Sequence, residues 1–563
     1  MRSIQATGIL CALLSGGMGG VGAPAFAQEA TAPAPVVAPL APPVEPVTLS
    51  DDAIAIRDGL PAALSALPGG QRDAIEAFFL ARQWAPLWTA PASPAPAALV
   101  AALDTAGDQA LPAARYDAPG LAALFAPGAA ATPAEREAAA TAAYLRYATD
   151  LSAGIVEPVS LDPEYIGRKP ERPAPGALLA ALDTGPLPQV LRGLEPGDPD
   201  YRRMVEEKLR LESLAGTGSW GPEVADGATL HPGDDDPRVA ELRARLARLG
   251  YLPASGEAVA PQFDAGLQAA VERFQGEYGL VDDGVVGKAT LAAINAPVAT
   301  RLAQLTVNLE RMRWMPRDMG ARYLYVNIPD FTVHLIDGGR ATWESKVVVG
   351  KTHVTETPEF DGTVSYMVVN PSWHIPDSIA IRDYLPKLQK NPMVLKNQGI
   401  DLMTRAGTVI NPKLVDFTQY TPENFPFRIK QRPSDDNALG TVKFMFPNRF
   451  SVYMHDTPHR ELFARDVRAF SNGCIRLEKP RELAEILLAG QASDPAAAFA
   501  GWLATGKERQ VPLERKTPVH IVYRTAWFDE DNSARYRPDV YGRDAKLFEA
   551  MEAKGVTIAA AQG

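Results

Sequence analysis

Cys474 is where chemistry could start. It stands in Ser471-Asn-Gly-Cys474-Ile-Arg476, and His455, in Tyr453-Met-His455-Asp-Thr-Pro-His459, precedes it by 474 − 455 = 19 positions. A free thiol titrates near about 8.5, so only a few per cent of it is nucleophilic thiolate at neutral pH. An imidazole that takes the proton lifts this restriction, and a thiol with a nearby imidazole is therefore a candidate for attack on a carbonyl. Gly473 suits the same chemistry. Without a Cβ it lets an acyl group come close to the backbone, and its N–H, with that of Cys474, is placed to meet the oxyanion that forms.

The other histidines fit less well. His455 and His459 are four apart, a helical metal-ligand spacing, but Pro458 lies between them and no HExxH glutamate accompanies them, so no metal is expected. His374, beside Trp373, is the one rival base. His459 reads as a loop residue, His334 and His520 as ordinary strand side chains, and His231 and His353 have no evident chemical partner.

Strands have to hold these residues. After about residue 299 the apolar period becomes two: Tyr323-Leu-Tyr-Val-Asn-Ile328 alternates, 331–336 and 343–349 flank the hairpin signal Asp337-Gly-Gly339, and 366–369, 443–446, 450–454 and 518–525 read as further strands. A helix is expected at 481–488. Between them, 375–438 is a mixed, helix-leaning stretch with a polar Pro/Asp run, an insertion of the length that serves as a functional loop or lid. Upstream, 234–297 reads as three helices. Asp236 caps the first with Pro237 at its first position, Val239, Leu242, Leu246 and Leu249 make its apolar stripe, and Phe263, Leu267, Ala270, Val271 and Phe274 make the second. Residues 50–230 are Ala/Leu-rich and helical, a scaffold without chemistry in which Trp84, Trp88 and Tyr116 serve as core or domain-contact aromatics.

The whole chain has 563 residues, enough for two to four domains, and its 46% hydrophobic and 22% charged residues are those of a folded protein. Formal charge is 56 − 67 = −11, which excludes a chain-wide basic footprint for nucleic acid. Met1-Arg2, an uncharged run through Val21, and Ala25-Phe-Ala27 have the order of a secretory signal peptide, 1–27, or uncleaved of an amino-terminal anchor. An Ala/Pro-rich linker, 28–49, follows as a semi-rigid tether. Cys11 falls in the signal, so the mature chain keeps one thiol, Cys474, and no internal disulfide. No later run of about 18 apolar residues offers a transmembrane helix.

His455, fifteen intervening residues and Ser471-Asn-Gly473-Cys474-Ile-Arg476 resemble the catalytic signature of the L,D-transpeptidase family, whose usual form is a His followed by Ser/Thr-His-Gly-Cys, a hydrophobic residue, and Asn or Arg. Asn308-Leu-Glu-Arg311, Val348-Val-Gly350-Lys351, Thr357-Pro358, Asn370-Pro-Ser-Trp373, Asn437-Ala-Leu-Gly440 and Phe446-Pro-Asn448 read like its large multidomain Gram-negative form. Two positions depart: Asn472 where many members have His, and Ser434 where Gly is expected. Asp283, Gly284, Gly287 and Thr290 resemble the signature of the small peptidoglycan-binding domain.

The resemblance implies an α+β multidomain enzyme: helical scaffold 50–230, peptidoglycan-binding module 234–297, β-rich catalytic domain 299–545 with a capping insertion at 375–438, and a C-terminal tail 546–563. It implies Cys474 as nucleophile, His455 as general base and then acid, and the backbone carbonyl of Asp456 as the group that orients the ring. Tyr453, Arg476, Ser471, Asn472 and Trp373 then line the substrate site, with no cofactor. The implied reaction is periplasmic formation of 3-3 cross-links between peptidoglycan tetrapeptide stems, with sensitivity to carbapenems, in the company of cell-wall synthesis proteins. L,D-carboxypeptidation, anchoring of a protein to the wall, and non-catalytic wall binding are the alternatives, and a papain-like hydrolase is disfavoured because there the Cys precedes the His.

Overall fold

The computed structural model describes residues 48–218, 221–253 and 262–558. The expected signal peptide and the linker up to residue 47 lie outside the described residues.

From Asp51 to Gly216 the chain is helical. The central helix, Pro133–Ala153, starts with a capping box: Thr132 Oγ1 accepts from Glu135 N–H, and the Glu135 carboxylate accepts in return from Thr132 N–H. Its inner face buries Tyr144, Leu145, Ala148 and Leu151 against Ile56, Leu60, Phe79, Leu99 and Leu103 of the other helices. Trp88 and Tyr116 are core residues as expected, and each satisfies its polar tip there, Trp88 Nε1 on Thr141 and the Tyr116 hydroxyl on Asp150. Trp84 is half-buried against the same core.

The second unit has the three expected helices, Pro237–Arg248, Ala265–Glu277 and Lys288–Asn295, with the two apolar stripes joined by Leu291 and Ile294 in one core. Here the Asp-Gly-x-x-Gly-x-x-Thr pattern does structural work. Buried Gln275 donates to Asp283 and Thr290 and accepts from the Gly284 N–H, pinning the turn onto the second helix.

Helix Val298–Arg313 joins the halves, and most of what it buries is polar. The Glu310 carboxylate, fully buried, accepts from the N–H groups of Ile155 and Val156 and from Arg313; Asn308 bonds Thr525, and Arg311 pairs with Asp544. Each burial is tolerated because its charges are matched.

The C-terminal half is a mixed sheet built from β1 (Arg322–Asn327), β2 (Thr332–Asp337), β3 (Arg340–Gly350) and β4 (Phe360–Val369). Inserted after β4 are β5 (Trp373–Ile375), β6 (Ile400–Met403), β7 (Val409–Ile410) and β8 (Arg428–Gln431). The main sheet then resumes with β9 (Val442–Met445), β10 (Met454–His455), β11 (Ala469–Ser471), β12 (Ile475–Leu477) and β13 (Arg509–Val522). Its order is β11-β3-β12-β10-β9-β4-β13-β1-β2, and because β2 also pairs with β3 it closes on itself. Leu324, Val326, Val333, Val347, Val349, Val364, Met367, Phe444, Met454 and Ile475 fill the inside, with Leu483 and Leu487 of helix Pro480–Leu488. Each such side chain contributes roughly 1.5–3 kcal/mol relative to exposure.

One expectation gains detail and one changes. The stretch 375–438 is mixed and helix-leaning as expected, with short helices such as Leu385–Lys390, but β5, β6, β7 and β8 also form a separate four-stranded sheet in it, over its own core of Ile375, Leu385, Leu388, Ile400, Leu402, Phe417 and Ile429. Strands of two to four residues are too short to show a period in sequence. The boundary at 545 also falls inside a helix, Arg543–Glu552, and the expected tail is packed: Leu547, Met551 and Val556 belong to the core of the N-terminal helices.

Candidate active site

β10 lies parallel to β12, with Met454 opposite Ile475 and His455 opposite Arg476. One residue earlier, Ile475 N–H donates to Tyr453 C=O at 3.0 Å, which continues the row to Tyr453 and Cys474. Side chains alternate along a strand. Met454 and Ile475 point into the core and are fully buried, so Tyr453, His455, Cys474 and Arg476 share the other face. The sheet thereby brings together four of the residues that the sequence singles out.

His455 is 5% exposed, and its Nδ1 lies 2.5 Å from the carbonyl oxygen of Asp456. A carbonyl can only accept, so Nδ1 carries the hydrogen and Nε2 is left as the basic nitrogen. The Asp456 carboxylate is used elsewhere, accepting from Thr441 and from the N–H of Thr457. Burial, and after it the charge of Arg476, pulls the imidazole down to about 3.

Cys474 is half-buried, and burial pushes its thiol up to about 11, opposed by the polar groups of Tyr453 and then by Arg476 and Lys443. The thiol points at the carbonyl of Ser451, 3.9 Å from Sγ, and makes no hydrogen bond to His455. The resting pair is therefore a neutral thiol beside a neutral imidazole. An uncharged ring stabilises a thiolate little.

The Cys loop is braced from below. Ser471 Oγ donates to the carbonyl of Cys474 at 2.6 Å and accepts from Gly473 N–H at 3.1 Å, while Thr355 and Thr357 hydroxyls hold the carbonyls of Ser471 and Gly473. Gly473 has φ +102°, a region that favours glycine, which explains the residue. Its N–H is directed at Ser471, so the oxyanion contact expected of it is already taken. Ser471, 1% exposed, braces the loop rather than lining a subsite. Asn472 accepts from Arg382 of the insertion at 2.9 Å, so it ties that insertion to the Cys loop. Trp373 begins β5 opposite Gln431 and packs on the core of the insertion. Ser434 has no left-handed φ, so serine fits where glycine was expected.

The Arg476 guanidinium makes no hydrogen bond to a described residue, and its Nε is buried without a partner among them. Nothing in the sequence singles out Lys443. Between Val442 and Phe444 it reads as an outward strand residue, yet β9 sets it directly opposite His455. The rival base His374 sits on β5 in the small sheet, opposite Lys430, and His459 is exposed beside Glu461. Among the described residues no group of three His, Cys, Asp or Glu could hold a metal ion, and no helix is long and apolar enough to cross a membrane.

Residues 321–521 match the family model of the L,D-transpeptidase catalytic domain (YkuD), residues 73–207 a scaffold domain, and residues 235–294 a "Putative peptidoglycan binding domain". A protein of Haemophilus influenzae named "Putative L,D-transpeptidase" is 34% identical over 252 residues, 43% of this chain and 48% of that protein, so the match spans about half the length of this relative. An N-acetylmuramoyl-L-alanine amidase of Mycobacterium tuberculosis, CwlM, is 42% identical over 80 residues, 13% of this chain and 20% of its own. Among solved structures, L,D-transpeptidases of Xylanimonas cellulosilytica (15% identity, 54% of this chain, 100% of that one, TM-score 0.16) and Stackebrandtia nassauensis (11%, 54%, 97%, 0.20) are similar too weakly to carry an argument. The family models fall on the closed sheet and on the three-helix unit just described: the chain carries an L,D-transpeptidase catalytic domain of the YkuD family, joined to a peptidoglycan-binding domain and a helical scaffold domain.

Proposed function

We propose that this chain forms 3-3 cross-links in peptidoglycan through an acyl-enzyme on Cys474. The observation that carries the reading is the register of β10 on β12, which sets Cys474, His455, Tyr453 and Arg476 on one face with His455 Nδ1 fixed by Asp456. Turning the thiol from Ser451 towards Nε2 is a rotation about one side-chain bond. With a tetrapeptide stem in place, Sγ attacks the carbonyl of the third-position diamino acid while Nε2 takes the thiol proton. The oxyanion is met by the Cys474 N–H and the Tyr453 hydroxyl. The imidazolium then gives its proton to the leaving nitrogen, the C–N bond breaks and D-alanine departs. The side-chain amine of a second stem attacks the thioester, loses its proton to Nε2 and releases the thiol.

The resting ionisation supports a proton transfer coupled to attack, since a preformed ion pair is strongly uphill at a dry site. The peptidoglycan-binding domain raises the local concentration of strands by tethering. Substrate of this kind places the chain in the periplasm or outside the cell, in keeping with an exported protein.

The test is muropeptide analysis with defined tetrapeptide donors and purified protein. Wild type is expected to yield 3-3 dimers, and Cys474→Ala to yield none and to form no carbapenem adduct by mass spectrometry. A carbapenem adduct persisting in that variant would falsify the assignment. Only water-terminated products under every acceptor would make the reaction a carboxypeptidation.

A further inference from the structure

The row of side chains crossing the sheet through His455 holds more charge than this reaction uses. On β9 Lys443 stands opposite His455, which stands beside Arg476 on β12. Lys443 alternates with Val442 and Phe444, both fully buried in the core, so it shares the outer face with His455. Its ammonium lies over the Tyr453 ring, 5.6 Å from the centroid. It is largely withdrawn from water, burial holds it below its usual range, and it makes no hydrogen bond or ion pair with any described residue. The acid that acts on it, Glu508, is turned to the Ser372 N–H, from which it accepts at 2.5 Å. A partly desolvated cation with only an aromatic face beside it is costly, and an anionic ligand lowers the cost.

We propose that Lys443 binds the terminal carboxylate of the donor stem, which becomes the carboxylate of the departing D-alanine. The inference rests on the transpeptidase reading above and names the part of the substrate this residue meets. The order of the strands carries it: the thiol immediately before β12, the imidazole on β10, the ammonium on β9. The attacked carbonyl sits above the thiol, and the leaving nitrogen has to face the imidazole that protonates it. The carboxylate carbon lies roughly 2.5 Å beyond that nitrogen. Neighbouring strands are about 4.8 Å apart, so this direction leads from His455 towards Lys443, whose flexible stem covers the remainder. Arg476 lies on the far side of His455, which leaves it for a carboxylate elsewhere on the stem.

The experiment compares two donors: a tetrapeptide ending in D-alanine and the same peptide ending in D-alaninamide, read as release of the terminal amino acid or its amide. Lys443→Gln is expected to lower kcat/KM for the carboxylate donor about 10- to 100-fold, mainly through KM, and to leave the amide donor within about twofold. Lys443→Arg should keep most of the preference for the carboxylate, and Lys443→Met, folded with the same bulk and no charge, should repeat the loss. Equal losses on both donors, or none on either, overturn the proposal while the transpeptidase reading stands. A wild-type protein that releases nothing from either donor overturns both.

Discussion

The resting state of the thiol sets the sharpest test. Burial pushes the Cys474 thiol up to about 11, well above the ordinary value of about 8.5 for a free cysteine. At pH 7 the thiolate fraction is then on the order of 10⁻⁴, and alkylation by iodoacetamide should run about 300-fold slower than for a free cysteine. Rates measured from pH 6 to 11.5, with adducts located by mass spectrometry, are expected to rise through the whole range with no plateau below about pH 10. Because His455 is neutral down to about 3, His455→Ala should abolish transpeptidation yet keep the alkylation midpoint within about one unit. A wild-type midpoint below about 8, moving up in His455→Ala, would show a thiolate–imidazolium pair at rest and refute the reasoning.

Three further outcomes follow from the same geometry. Ser471→Ala removes the acceptor of Gly473 N–H and the donor to the Cys474 carbonyl, and is expected to cost about 1–3 kcal/mol in urea unfolding and to slow D-alanine release; unchanged values for both would show that the loop needs no such brace. Arg382→Ala cuts the exposed tie to Asn472, worth up to about 1 kcal/mol, so Cys474 alkylation should quicken by no more than about fivefold with little change in melting temperature, and a slower reaction would contradict a covering role for the insertion. His455 is held at about 3 in the fold against 6.5 free, so its contribution is fully present above pH 6.5 and is lost as pH falls towards 3, by up to about 1.4 kcal/mol per unit. Wild type should therefore lose stability more steeply than His455→Gln between pH 6.5 and 3.5, and parallel profiles would place the ring in water.

The helices of the peptidoglycan-binding domain were legible because their information is local: an Asp cap, a proline at the first position, and stripes at helical spacing. The thiol and its histidine were legible because motif spacing records them, whereas the bracing carbonyl was implied only by the family resemblance. Gln275 was not, since nothing near it in sequence shows that it holds Asp283, Gly284 and Thr290 together. The insertion hid its sheet in strands shorter than any recognisable period, and the C-terminal helix hid its partners, which lie some 400 residues earlier in the chain.

By itself the sequence determined which residues could react and in which classes of element they sit, because side-chain chemistry and periodicity are properties of short stretches. Which of those residues meet was decided only by the tertiary structure. Pairing of β10 with β12 and β9 joins segments distant in the chain, and it put Lys443 beside His455 and the thiol within reach of the Ser451 carbonyl. Protonation was decided there as well, since a thiol at about 11 and an imidazole at about 3 are consequences of burial, and burial belongs to the folded chain.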